Sequence, residues 1–192
     1  CTGSIYFTDN TKVTAKPKAR YLGVILRADG KPQDDISARL GRAYTGLSKL
    51  QKFWKHSDIN TAWKIKVYKA TFVPMLTYGM ESVQLTETQM QRLETFQHHA
   101  LRKILNIKAT YYTEVLDPTA TTIRDIEVLQ QANRHVKVPR IADLIHSQQL
   151  KLLGHILRAP DTDIMRNTVF TSATVYRAGG FGDRRTGHPR QH

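Results

Sequence analysis

Two carboxylate pairs, eight histidines and a glycine run are the residues of this 192-residue chain whose types could carry chemistry. Asp34-Asp35 and Asp161-x-Asp163 have the spacing of acid/base or metal-binding pairs. The first also suits the positive N-terminal end of a helix and the second a turn after Pro160, so neither is assigned a catalytic role. Adjacent His98 and His99 would point about 100° apart on a helix. His146 and His155 are nine residues apart, unlike the three- or four-residue spacing of helical zinc ligands. The single cysteine, Cys1, excludes an intrachain disulfide framework and a Cys-rich zinc knuckle, and it points to a reducing, intracellular compartment. Gly179-Gly180-Phe181-Gly182 has neither a strand before it nor the Lys-Ser or Lys-Thr that completes a phosphate loop, so it reads as a flexible segment. Nothing resembles a nucleophile elbow. No catalytic residue and no metal site is expected.

Positive charge is the stronger signal. The chain carries 29 Lys and Arg against 16 Asp and Glu, a net charge of +13. Residues 1–33 hold six basic and two acidic side chains, residues 34–108 twelve and six, and residues 109–192 eleven and eight. Such a balance speeds association with polyanions, nucleic acid first among them. Arg39, Arg42, Lys49 and Lys52 fall at three- to seven-residue intervals in a stretch with no acidic residue after Asp35. Uncompensated cations so spaced can follow a phosphate track, each contact releasing counterions. The plainer alternative is a solvated charged face. Lys64, Lys66 and Lys69 form a second basic stripe, and Arg102, Lys103 and Lys108 a third cluster. Gly154-His155-Ile156-Leu157-Arg158 admits two readings. Either Gly154 permits close helix packing beside an interior His155, or His155 and Arg158, one turn apart, contact a phosphate.

The elements that must position these groups begin with strands at Ser4–Phe7 and Tyr21–Leu26, bounded by turns at Asp9-Asn10 and Asp29-Gly30. Ile36, Leu40, Ala43, Leu47, Leu50 and Trp54 recur at steps of four and three, which predicts one amphipathic helix about five turns long. A second helix is expected after Ser57 or Asp58, with Ile59, Ala62, Trp63, Val67, Ala70 and Val73 inside. Pro74 should kink or end it, and Gly79 stop it. Thr86 opens a third, with Met90, Leu93, Phe96, Ala100, Ile104 and Ile107 inside. Three helices on short connections pack antiparallel around one core. Asp117-Pro118 marks a linker, Ile123–Gln131 a short helix, and Pro139 precedes another that ends near Ala159-Pro160. From Arg177 the Gly, Arg, His and Pro content predicts a disordered basic tail. The expected fold is mainly α: a short N-terminal β-hairpin, an antiparallel three-helix bundle and further short helices. No run approaches the roughly eighteen apolar residues of a membrane helix, so no membrane partner is expected. The start at Cys1-Thr2-Gly3-Ser4 and the end at Arg190-Gln191-His192 suggest a piece of a longer protein.

The order of these features is similar to the end of the reverse transcriptase of non-LTR (LINE-like) retrotransposons. The resemblance lies in Tyr21-Leu22-Gly23-Val24, the turn at Asp29-Gly30, Asp35-Ile36-x-x-Arg39-Leu40-x-x-Ala43, Leu50, Trp54 and Lys66-x-Tyr68. It continues through Leu76-x-Tyr78-Gly79-x-Glu81, Phe96-Gln97-x-x-x-Leu101-Arg102-x-Ile104-Leu105, Leu153-Gly154-His155-x-x-Arg158 and Arg184-Arg185-x-Gly187-x-Pro189-Arg190. His188 stands where the family's tail usually has Arg. The resemblance implies that residues 1–33 end the palm and include the primer grip, that 34–108 form the thumb, that 109–176 form a post-thumb connector and that 177–192 form the tail. It implies an intracellular, nuclear protein bound to an RNA template, a DNA primer and the rest of the polymerase. The polymerising aspartates of that family lie upstream, in an Ala-Asp-Asp type motif absent here, so this chain alone is expected to be inactive and its Mg²⁺ to belong to that absent part. Tyr21, Leu22 and Gly23 would hold the primer end. Arg39, Arg42, Lys49, Lys64 and Lys66 would track the hybrid, joined as nucleic-acid contacts by Arg102, Lys103, His155 and Arg158. A stand-alone basic nucleic-acid-binding bundle and a basic bundle docked on an acidic protein are the competing readings.

Overall fold

The computed structural model describes residues 8–9, 16–56, 58–108, 123–160 and 162–170. The Ser4–Phe7 strand, the Asp117-Pro118 linker and the tail from Arg177 lie outside the described residues. The chain divides into two compact units, residues 1–149 and 150–192.

The first unit opens with an antiparallel hairpin, β1 (Lys18–Tyr21) and β2 (Val24–Arg27), in the register Lys18 to Arg27, Arg20 to Ile25 and Tyr21 to Val24. Helices α1 (Gln33–Lys49), α2 (Gln51–Lys55), α3 (Thr61–Thr77) and α4 (Glu87–Leu105) follow. They are succeeded by α5 (Asp125–His135) and α6 (Ile141–Arg158).

The apolar repeat from Ile36 to Trp54 is buried apart from Leu50, which is partly so. It belongs to two helices and not one, because the backbone bends out of helical geometry at Leu50 (ψ 17°). Periodicity passes through this break unchanged, since Leu50 N–H still reaches Gly46 O and Trp54 N–H still reaches Leu50 O.

The second helix differs in both start and face. Asn60 caps it, its side chain accepting from Ala62 N–H at 2.7 Å, so neither Ser57 nor Asp58 is the cap. Its buried face is Ile65, Tyr68, Phe72 and Leu76, whereas Trp63 is 57% exposed and Ala70 is on the surface. The sequence of α3 is apolar on most sides, so two stripes satisfy a helical period and only the partners decide between them. The helix runs through Pro74 for three further residues and then stops, and Gly79 takes the left-handed conformation (φ +69°) that lets the chain turn away.

Thr86 caps α4 in a capping box with Gln89. At the other end Asn106 adopts left-handed geometry (φ 56°), and Ile107 N–H closes back onto Arg102 O at 2.9 Å.

Side-chain contacts fix the helix directions. Arg39 near the start of α1 donates to Met75 O near the end of α3, and Lys64 near the start of α3 donates to Trp54 O in α2. Arg92 reaches Ser37, and Tyr44 packs edge-on against Phe96 and His99. The three long helices therefore run up, down, up around one core. That core continues into Val128 and Ala132 of α5 and Ile141 and Ile145 of α6. Buried Gln97 ties α4 to the start of α6, donating to Pro139 O at 2.8 Å and accepting from Ile141 N–H at 3.1 Å.

In the second unit, Asp163 caps a short α7 (Ile164–Val169). Buried Arg166 donates to Leu157 O and Ala159 O, closing the C-terminal end of α6. Pro160 and the turn after it therefore act as expected from the sequence, with α7 as an added element.

Candidate nucleic-acid interface

A two-residue turn, Leu22-Gly23, joins the hairpin strands with both residues at positive φ, +46° and +85°. This is the mirror-image geometry that suits the twist of a hairpin, and it normally selects Asn or Gly at the first position. Leucine there costs about 1 kcal/mol. It is also 71% exposed, beside Tyr21 at 64%. Cross-strand alternation gives the hairpin two faces. Lys18, Arg20, Ile25 and Arg27 share one, and Ala19, Tyr21, Val24 and Leu26 the other. Val24 approaches Gly79, while Tyr21 and Leu26 stay in solvent.

Consecutive aspartates of α1 hold the basic face. Asp34 pairs with Lys18 and with Arg27 Nη1, the latter at 3.2 Å, and Asp29 takes the rest of the Arg27 guanidinium at 2.9 Å. These cations hold the Asp34 carboxyl below its ordinary range, Lys18 first among them. Asp35 is buried: one oxygen accepts the Ile25 N–H at 3.0 Å and the other the Arg39 Nε at 2.6 Å. Arg39 passes the connection on to Met75 O at 3.2 Å, with its guanidinium 6.0 Å from the centre of the Tyr78 ring. Strand β2, the first turn of α1 and the last turn of α3 are thus joined through one buried ion pair.

Arg39 is therefore no phosphate contact. Its side chain is 2% exposed and it serves as an internal link. Lys64 is likewise removed from the charged stripe: it is 7% exposed and donates to Trp54 O and His56 O, both at 2.7 Å, sealing the C-terminal carbonyls of α2. Arg102 is largely committed to Asp125 Oδ1, Ile123 O and Lys108 O. Tyr21, Leu22, Gly23, Arg42, Lys49 and Lys66 are exposed, and Lys103 is half-buried. His155 and Arg158 are exposed in the second unit. The interior-histidine reading fails on that exposure, and Gly154 leaves room for the Arg158 guanidinium, 3.2 Å from where a Cβ would stand.

The exposed face of α1 and α2 is a surface of small and basic side chains. Gly41, Arg42, Thr45, Ser48, Lys49 and Lys52, each three or four residues from another of the set, are all exposed. Gly41 has open space above it, and the Thr45 hydroxyl is turned back onto Gly41 O. Between Ile36 and Met80 there are eight Lys and Arg against a single carboxylate, Asp58. Two of the eight are internal, and Arg42, Lys49, Lys52 and Lys55 have no ion pair among the described residues. Among the described residues no group of three or more His, Cys, Asp or Glu is placed to hold a metal ion, and no helix is long and apolar enough to cross a membrane. Comparison with protein-family models, curated proteins and solved structures gives no match. The functional reading therefore rests on this surface and on the hairpin tip.

Sequence reasoning passed over Trp63, whose exposed indole the apolar period of α3 disguised as core. It named Lys52 without singling it out. The signal for Lys52 was present, since 52 follows 49, 45 and 42 on one face.

Proposed function

We propose that this chain is the primer-grip and thumb segment of a non-LTR retrotransposon reverse transcriptase, which holds an RNA/DNA hybrid for a catalytic centre supplied by the rest of the polypeptide. The observation that carries the reading is the coupling of an exposed, strained hairpin tip to a carboxylate-free basic helix face. Strain at an exposed apolar residue serves no packing purpose, and such outliers gather at sites that meet a ligand. Tyr21 and Leu22 pack against the primer end, while Gly23 lets the backbone come close to it. Arg42, Lys49 and Lys52 on one face, with Lys66 on α3, neutralise phosphates along the strand. Small Gly41, Thr45 and Ser48 let the helix approach a shallow minor groove, where 2′-hydroxyls are within reach. Phosphate and shape contacts carry little sequence information, so binding is sequence-tolerant. The seventeen residues of α1 span about 25 Å, long enough to follow several nucleotides of the hybrid.

The reading is tested by binding an RNA/DNA hybrid with a recessed primer end and the same duplex with flush ends over a salt series. A steep salt slope and a preference for the recessed end are expected, with the preference lost in Tyr21→Ala/Leu22→Ala and the slope reduced in Lys49→Ala. A flat salt slope would overturn nucleic-acid binding altogether. A steep slope with no end preference would leave a stand-alone binder.

A further inference from the structure

At the end of the bundle away from the hairpin, the C-terminal ends of α2 and α4 and the N-terminal end of α3 enclose a cavity of about 440 Å³, within the size range of small-ligand sites. Its polar lining is Lys55, His56, Thr61, Lys64, Lys103 and Asn106. We infer that this cavity is a binding site for a phosphate group, either a backbone phosphodiester or a free oligophosphate.

Charge balance is the main argument. Among the described residues, three lysines and a histidine line the cavity and no carboxylate does. The Lys64 ammonium is almost wholly buried, yet its partners are two carbonyl oxygens and no carboxylate lies within ion-pair distance among the described residues. A buried ammonium without a counter-ion is costly. Two of its three N–H donors are used, which leaves the third for an acceptor in the cavity. Lys55 and Lys103 have no ion pair among the described residues. Asp58, which stands 3.9 Å from His56 Nδ1 with its side chain 85% exposed, is not part of the lining.

The geometry adds to the charge. Thr61 is the first residue of a seventeen-residue helix, whose N-terminal end favours an anion. Lys64 cancels the opposing C-terminal end of α2 by taking its carbonyls. The C-terminal end of α4 opposes the α3 N-terminus, so the positive balance of the cavity rests on its three lysines. An oxyanion that enters it meets the third Lys64 N–H and the ammonium groups of Lys55 and Lys103.

The inference stands apart from the nucleic-acid reading, and the experiment separates them. Tripolyphosphate is titrated into the intact chain at constant ionic strength, with amide shifts and thermal unfolding as readouts. Expected are saturable shifts at Thr61 and Asn106 and a rise in Tm at saturating ligand. Lys55→Ala/Lys103→Ala, which changes only side chains outside the core, should weaken binding by about tenfold or more, as expected for loss of charge-assisted hydrogen bonds, while Lys151→Ala in the other unit should not. Lys64→Met is a second variant where it folds. A second arm measures competition between tripolyphosphate and an RNA/DNA hybrid. If the double variant weakens tripolyphosphate and hybrid together, the phosphate belongs to the nucleic acid. If it weakens tripolyphosphate alone, the ligand is a free oligophosphate. Non-saturable shifts, or a double variant no weaker than Lys151→Ala, would overturn the site whatever the hybrid does.

Discussion

Replacing Arg39 by alanine should destabilise the first unit and loosen the hairpin together. Removing one partner of a buried ion pair costs about 3–5 kcal/mol, because the remaining charge keeps its desolvation and loses its compensation. Here Asp35 would retain only the Ile25 N–H, and Met75 O would lose its side-chain donor. Against this, Arg39 Nη2 is itself buried without a partner among the described residues, and deleting an unsatisfied donor returns about 1–3 kcal/mol. The net expectation is a loss of about 2 kcal/mol. Urea unfolding followed by tryptophan fluorescence reads it, since buried Trp54 reports the core. With a slope near 2 kcal/mol per molar, the midpoint should fall by about 1 M. Asp35→Leu/Arg39→Met should recover part of that loss, although Ile25 N–H and Met75 O would still lack their partners. Hydrogen exchange at the Ile25 amide should rise in Arg39→Ala by more than the global loss allows. A loss under about 0.5 kcal/mol, or strictly additive effects of the two single changes in the double variant, would show that the pair does not link hairpin to bundle.

Tyr68→Phe should raise Tm by about 2–4 °C, because the Tyr68 hydroxyl is buried without a partner among the described residues and burial has already pushed its ionisation far up. Leu22→Asn should relieve left-handed strain, stabilising the hairpin by up to about 1 kcal/mol and slowing exchange at Ile25, while weakening hybrid binding at the recessed end. Lys64→Met should lower the urea midpoint and leave the number of phosphates neutralised along α1 unchanged. Lys49→Ala should do the reverse, changing stability by less than about 0.5 kcal/mol and the salt slope by about one. Gln97→Leu should lower stability by about 1–3 kcal/mol, since Pro139 O and Ile141 N–H would lose their partner in a buried place.

What could be read from the sequence was whatever depends on neighbours along the chain. The stripe from Ile36 to Leu47, the Thr86 cap and the stop at Gly79 are local patterns, and each stands in the structure where its residues place it. Lys64 was illegible for the opposite reason, since its acceptors, Trp54 O and His56 O, are backbone atoms that composition and periodicity do not display, and for Arg39 the spacing to Asp35 was visible but not that the pair is buried against Met75 O. Charge alone put both on the surface. The face of α3 was undetermined because Trp63, Val67 and Ala70 make as good an apolar stripe as Ile65, Tyr68 and Phe72. Only packing against α1 and α4 chooses between them. Gln97 lay inside a matched motif, and nothing in the motif shows that its work is to anchor α6.

The two aspartates that hold the hairpin also set a limit on chain length. Asp34 and Asp35 diverge by about 100° around α1, one taking the charged stem and the other the Ile25 amide. Attachment at two points fixes the tip's direction as well as its position. Apart from Asp29, which holds Arg27, and Gly30, at φ +69°, substitutions between Arg27 and Gln33 leave both points in place, but one inserted residue in the first turn of α1 would rotate the carboxylates away from their partners. That connection should tolerate changes of identity far better than changes of length.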